Sequence, residues 1–314
     1  MDRPLAALTG ATGFLGPWLV RALGEAGYRV RALASRAPEA GWGADEPELV
    51  EGRLHEPDAL ARLVDGTEVV VHAAGRIKAQ SRAEFFDANA EGTARMARAM
   101  AGRAPLARLV VVSSLSAREP QLSSYAASKA AGEAAARELV AGDRLTVVRP
   151  PAVYGPGDRE TLTLFQAAQR LPALPLLGGP DARIALIHAQ DAAAQIAALA
   201  ARPAAGALHA LSDDRPEGYG WREIMQAAAA SVGRQARPVR LPAALVMAAG
   251  AAAAVAGRLT GRVPMLSPGK ARELLHGDWS VHESERATGL PEVRFNLEEG
   301  LADTVNWYRR EGWL

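Results

Sequence analysis

Cysteine is absent from the 314-residue chain, which excludes disulfides, thiolate catalysis and cysteine-ligated metals. Lysine occurs only at positions 78, 129 and 270, so arginine carries nearly all the positive charge. Neither sign of charge is in excess: 36 basic residues face 35 acidic ones, for a formal net charge of +1. That balance argues against a dedicated nucleic-acid binder. No spaced His/carboxylate cluster reads as a metal site. A secretory signal is not expected, because strand-like residues begin almost at once, and the chain reads as cytoplasmic. Long apolar runs are scarce too. Only residues 241–257 approach one, and that stretch is alanine-rich and shorter than the roughly 20 residues a bilayer span needs. No transmembrane segment is expected. The stretch reads as a buried or surface-packed helix; contact with a membrane surface, or a lid over an apolar substrate, are the alternatives.

What is present is material for a large core, since 49% of residues are hydrophobic. Short apolar runs at 5–8, 29–34, 47–50, 69–73, 109–112 and 145–148 read as strands, with a seventh near 208–211. Helical periods fall between them at 14–26, 57–64, 83–101 and 124–139. Val-rich runs separated by helices imply a parallel sheet covered on both faces: a doubly wound, Rossmann-like α/β fold over residues 1–150. After Pro150-Pro151 the texture changes. Loops rich in Pro and Gly, among them 155–157, 171–180 and 264–269, alternate with helical segments such as 221–232 and 297–311. Residues 151–314 read as a smaller, mainly substrate-binding region that contributes a strand and helices back to the main sheet.

The first strand runs into Thr9-Gly10-Ala11-Thr12-Gly13-Phe14-Leu15-Gly16. A glycine-rich turn from strand to helix is a phosphate cradle: glycine permits close backbone approach, and the helix N-terminus offers free N–H groups with partial positive charge. The spacing is one residue longer at its start than the common dinucleotide fingerprint. A second stretch, Ser123-Ser124-Tyr125-Ala126-Ala127-Ser128-Lys129, sets a tyrosine and a lysine four apart on one helix face. An ammonium beside a phenol favours phenolate, so the tyrosine is expected to titrate below 10 and to exchange a proton with a substrate oxygen. Ser113 and Ser114 end the fifth strand, where ligands of open parallel sheets bind.

These motifs, with His72-Ala73-Ala74-Gly75, Asn89-Ala90-Glu91-Gly92-Thr93 and the run from Arg149-Pro150-Pro151 to Asp158, resemble the extended short-chain dehydrogenase/reductase family. It is also called the NAD-dependent epimerase/dehydratase family, and the hydroxysteroid dehydrogenase and dihydroflavonol reductase branch is the nearest in texture. The resemblance implies that Tyr125 is the general acid/base, that Lys129 lowers its pKa and binds the nicotinamide ribose, and that Ser114 polarises the substrate oxygen. Ser113 is the other holder of that last role and a cofactor neighbour. Asn89 would organise the active-site helix and a proton relay. For the cofactor the resemblance implies Gly10, Thr12, Gly13, Phe14, Leu15 and Gly16 at the pyrophosphate, Ala73, Ala74 and Gly75 beside the adenosine, and Pro150 and Val153 at the nicotinamide. Homodimerisation through helices 83–101 and 124–139 is common in the family.

No acid stands about 20 residues past the glycine turn, where NAD enzymes hold the ribose hydroxyls. Ser35 and Arg36, helped by Arg31, would suit a 2′-phosphate instead, so NADP is favoured and NAD remains an alternative. Where relatives carry Gly-Asp-Leu this chain has Gly52-Arg53-Leu54, which leaves the Leu54 backbone as the remnant adenine contact. Only ten residues separate Ser114 from Tyr125, short for the extended class. No carboxylate adjoins Ser114, which disfavours sugar dehydration. The reading is interconversion of a ketone and a secondary alcohol on a mainly apolar small molecule. A nucleotide-sugar epimerase with tightly bound NAD, and a non-catalytic dinucleotide-binding sensor or scaffold, are the alternatives. His188 and Asp191 read as structural.

Overall fold

The computed structural model describes residues 3–37, 42, 46–204, 206–235, 237–261, 263–264 and 266–314. The apolar runs form β1 (Leu5–Thr9), β2 (Arg29–Ala34), β3 (Glu48–Glu51), β4 (Val69–His72), β5 (Arg108–Val112) and β6 (Leu145–Arg149). Between them lie α1 (Gly16–Glu25), α2 (Pro57–Val64), α3 (Arg82–Phe86), α4 (Gly92–Arg103) and α5 (Ser124–Leu139). Then follow β7 (Ala152–Tyr154), α6 (Arg159–Arg170), β8 (Ala173–Leu176), β9 (Arg183–Ile184), β10 (Leu186–His188), α7 (Ala189–Ala201) and β11 (Leu208–Ala210). The last elements are α8 (Trp221–Ser231), β12 (Arg237–Arg240), α9 (Ala243–Thr260), α10 (Pro268–Leu275), β13 (Asp278–Trp279) and α11 (Leu297–Arg310).

Seven strands make one parallel sheet in the order β11-β6-β5-β4-β1-β2-β3. Successive residues of β1 feed opposite faces, Ala6 and Leu8 into one core and Ala7 into the other. The first core joins Leu19 and Leu23 of α1 to Ile196 of α7. The second joins Leu60 and Leu63 of α2 to Met96 of α4 and Ala136 of α5. With both faces covered, every residue of β1 and β4 is buried, as a doubly wound fold requires. The strand order reverses between β1 and β4, and their carboxyl ends frame the crevice in which such folds take ligands.

The second half adds β11 and α7 to this sheet and otherwise forms three two-stranded parallel pairs, β7 with β10, β8 with β12, and β9 with β13. A third core, built on Phe165, Leu174 and Tyr308, lies under them. Helix α9 is almost wholly apolar, yet only 17% of it is buried.

Three boundaries differ from the sequence reading for local reasons. Helix α1 starts at Gly16 rather than Phe14, because Gly13 N–H bonds the Gly10 carbonyl (3.0 Å) and Gly16 N–H the Gly13 carbonyl (2.9 Å), extending the turn. The expected helix 83–101 is interrupted by one π-helical turn, Asp87–Glu91, against which Gly132 of α5 packs. A Cβ on Gly132 would stand 2.8 Å from the Asn89 carbonyl oxygen. Within the expected loop 264–269, residue 265 lies outside the described residues, and Pro268 and Gly269 open α10 instead, proline taking the first helical positions.

Two buried histidines link this packing to pH. His72 shares a 2.8 Å hydrogen bond with the Thr9 hydroxyl, and burial, aided by the nearby Lys129 charge, lowers its pKa to about 3. His188 lies among the Trp18, Tyr154 and Phe295 rings, and burial lowers it to about 4. Below pH 6.5 the unfolded chain binds protons that the folded chain refuses, so stability is full above that value and falls as pH drops toward 4. These two histidines are expected to withdraw a few kcal/mol of unfolding free energy between pH 7 and pH 4, at about 1.4 kcal/mol per unit of each shift, partly offset by Asp213, whose carboxyl burial raises to about 6. Denaturant titrations across that range check this, and His72→Gln should flatten the slope.

Candidate active site

The glycine turn is shaped by what a side chain would collide with. Gly10 has φ +81°, and a Cβ there would meet the Ala74 amide nitrogen at 2.7 Å. The turn after β1 therefore rests on the turn after β4, bringing Ala73, Ala74 and the exposed Gly75 beside it. Thr12 and Gly13 are exposed, while Phe14 and Leu15 are half-buried. No side chain caps α1 and no acid lies in its first turn, so its amides and positive pole face the cradle without competition. This geometry fits a dinucleotide pyrophosphate. Ser35 and Arg36 are exposed at the end of β2, and Arg36 makes no ion pair among the described residues. Arg31 is not available to help: its guanidinium holds Glu48 at 2.8 Å and the Asp65 carbonyl at 2.7 Å. Leu54 is half-buried, its side chain packed into the second core.

Tyr125 and Lys129 project from the first two turns of α5, which Ser123 caps through its hydroxyl to the Ala126 amide at 2.9 Å. The Ser114 hydroxyl faces the phenol and favours its ionisation. Burial outweighs that contact and, with the negative charge of Glu273, pushes Tyr125 up to about 12. This reverses the expected lowering: the phenol holds its proton at neutral pH. Lys129 moves the other way, to about 8, because burial disfavours its charge more than Glu133 supports it. Its ammonium donates to the Val112 carbonyl at 2.7 Å, anchored to the end of β5.

The two serines divide clearly. Ser113 is buried and its hydroxyl donates to Glu133 at 2.6 Å, so only Ser114 offers oxygen to the phenol side. Ser114 also accepts from the Ser116 amide at 3.2 Å, which fixes its rotamer. Asn89 sits in the π-helical turn and makes three bonds: it donates to Ser128 Oγ (2.8 Å) and the Arg76 carbonyl (3.0 Å), and accepts from the Arg76 amide (2.8 Å). It thereby clamps α5 to the segment after β4. Gly75 lies where a Cβ would stand 2.7 Å from Asn89 Oδ1 and 3.7 Å from Lys129 Nζ. Buried Pro150 accepts from the Leu115 amide at 2.8 Å, and Val153 pairs with Ile187 in β7. His188 and Asp191 lie in a packing role; Asp191 accepts from the Arg294 and Phe295 amides at 3.0 and 3.2 Å.

Three residues that sequence reasoning passed over complete the site. Glu133, one turn beyond Lys129, is held by Arg149 in two bonds of 2.8 Å. Arg149 also reaches Glu285 at 3.0 Å. Glu273 of α10, buried, accepts from the Ser123 hydroxyl and from Lys270 at 3.3 Å. The i+4 spacing from Lys129 was a usable signal for Glu133. Nothing local marked Glu273, which is 150 residues from Ser123.

Removing Glu133 leaves the partly buried Arg149 with Glu285 in place of its doubly bonded partner and takes the acceptor from the buried Ser113 hydroxyl. Glu133→Ala is therefore expected to lower the unfolding free energy by about 3–5 kcal/mol. Urea unfolding measures it, and a loss below about 1 kcal/mol, the range of surface pairs, would contradict the role given to this pair.

The profile of the NAD dependent epimerase/dehydratase family matches residues 6–210. The chain is 48% identical over 313 residues to a ceramide reductase of Caulobacter vibrioides, covering 99% of this chain and 96% of that one. It is 30% identical to the 2'-dehydrokanamycin reductase of Streptomyces kanamyceticus over 75% of this chain and 69% of that one. The crystal structure of gox2253 shares the fold over the full length of both chains, with a TM-score of 0.78 at 20% identity. Relatives that are reductases, a matched profile over most of the sheet and a Rossmann-like architecture place this chain in the NAD dependent epimerase/dehydratase family.

Proposed function

We propose that this chain reduces a ketone on an apolar, ceramide-type lipid to the secondary alcohol, with NADPH as the hydride donor. The observation that carries the reading is the end-to-end similarity to a ceramide reductase, together with a Ser114–Tyr125–Lys129 arrangement of the kind reductases of this family use. Gly10, Gly13, Gly16 and the first amides of α1 would hold the pyrophosphate, and Lys129 would hold the ribose beside the nicotinamide. Bound there, the nicotinamide supplies a hydride to the carbonyl carbon.

The chain's own residues do the rest. Tyr125 enters with its proton in place, because burial and Glu273 keep the phenol above neutral pH. That state suits donation to a carbonyl oxygen gaining charge. Ser114 donates to the same oxygen and holds it against the phenol. Lys129 steadies the phenolate left behind, its own position fixed by the Val112 carbonyl. Asn89 acts through position, keeping α5 in register with the segment after β4. Arg36, exposed at the end of β2 with no acid among the described residues 35–37, supports a 2′-phosphate and so NADPH.

Purified protein is assayed with a keto-ceramide in detergent micelles, following NADPH and NADH oxidation separately. Tyr125→Phe is expected to lower kcat by about 10²-fold or more with the fold intact, the scale of a lost general acid. Full turnover by that variant would remove Tyr125 from the role. Arg36→Ala is expected to raise the NADPH KM by about tenfold, the scale of one charged contact, and leave the NADH KM nearly unchanged. Equal effects on both would assign Arg36 elsewhere.

A further inference from the structure

Helix α9 presents an apolar face that the described residues do not cover. Its buried side runs through Val246, Gly250 and Gly257. Gly250 lets α10 approach, since a Cβ there would stand 3.1 Å from the Ser267 carbonyl oxygen. On the opposite side Leu245, Val255 and Leu259 are 59%, 56% and 83% exposed, with exposed alanines at 248 and 252 between them. Those positions follow helical spacing and make one continuous stripe. No charged residue lies in α9 before Arg258.

Charge is segregated around the same helix. Residues 224–272 hold seven Arg or Lys and no Asp or Glu, although the whole chain carries only +1. Arg237 and Arg240 precede α9 and Arg258 is in its last turn; all three are exposed and make no ion pair among the described residues. An apolar stripe flanked by uncompensated arginines matches the chemistry of an anionic bilayer surface, where acyl chains meet phosphate headgroups. At 18 residues the helix is about 27 Å long, short of the roughly 30 Å hydrocarbon core, and its other face is occupied by α10. That length and packing suit a helix lying along a bilayer surface rather than one crossing it.

The helix is also wired to the proposed catalytic end. Its partner α10 carries Glu273, whose charge reaches Tyr125 and whose carboxylate binds Ser123 at the start of α5. The carbonyl of Gly261, just past α9, accepts from Gln80 Nε2 at 3.0 Å, in the segment after β4. A groove of about 420 Å³ between Leu177, Arg240, Pro242 and Leu275 opens at the N-terminal end of α9.

We infer that α9 seats the protein on an anionic lipid bilayer, apolar stripe in the acyl region and flanking arginines at the headgroups, so that an apolar substrate is taken from the membrane. The seating stands on α9 itself; only the delivery of substrate rests on the lipid-reductase reading.

The test is co-sedimentation of the full chain with vesicles of phosphatidylglycerol and phosphatidylcholine, and with phosphatidylcholine alone, without substrate. One variant carries Leu245→Glu, Val255→Glu and Leu259→Glu; a second carries Arg237→Gln, Arg240→Gln and Arg258→Gln. Wild type is expected to bind the anionic vesicles, more weakly in high salt, and each variant to lose about tenfold or more. Both variants are expected to keep the thermal midpoint and the NADPH affinity of wild type, which reports the fold apart from the membrane. No binding by wild type, or binding that ignores both headgroup charge and the arginine variant, overturns the inference. So does a wild-type dimer that the glutamate variant dissolves without any vesicle binding, because α9 would then face a second copy. Vesicle binding without turnover of a keto-ceramide would instead sink the substrate assignment and leave the seating intact.

Discussion

The Glu133–Arg149 pair is the constraint on which the site depends. Glu133 comes from α5 and Arg149 from the last position of β6, and the pair meets in a buried pocket that also takes the Ser113 hydroxyl from the end of β5. Three elements are thereby fixed at one point, a single turn below Lys129. Glu285, far along the chain, closes the same network from the C-terminal region. Taking two charges out of water is costly, and the cost is offset only when nearly every lone pair and N–H is satisfied. Here Glu133 receives bonds from Ser113 and Arg149 and a further contact from Arg137, so the site closes tightly around it.

Above that anchor the ionisable groups are arranged by burial rather than by simple pairing. Lys129 is pressed toward neutrality while Tyr125 is pressed toward protonation. Burial disfavours whichever form is charged, so it moves an amine and a phenol in opposite directions. The outcome is a proton-loaded phenol beside a lysine whose contact is a backbone carbonyl. His72, bonded to Thr9 at the start of the glycine turn, is kept neutral by the same physics.

The second half departs most from a plain nucleotide-binding fold. Its small parallel pairs and the Tyr308 core are followed by α9 and α10, which pack on each other, and α10 touches the start of α5. An exposed apolar helix is ordinarily a liability in water. Its persistence beside a charge-segregated stretch is consistent with a chain whose proposed substrate is itself poorly soluble, and it joins the surface and the proposed acid through one short helix.

The sequence by itself determined the sheet. The strands at 29–34 and 109–112, the helices at 57–64 and 124–139, and the glycine cradle were legible because hydrophobic period and glycine spacing are local properties of the chain. The family, too, could be read from motifs in order. Only the tertiary structure decided which of two adjacent serines is free, because that depends on Glu133 twenty residues away taking Ser113. The same holds for the direction of the Tyr125 shift, which follows from burial and from Glu273 on a distant helix. Arg31 was removed from the cofactor by Glu48 across the sheet, and the helix expected at 83–101 was broken by a π-helical turn facing Gly132. Whether the alanine-rich stretch is core or surface was likewise invisible in composition, since apolar residues look alike until their neighbours are known. Period and turn chemistry act over a few residues, whereas burial, pKa and pairing are set by contacts that only the folded chain brings together.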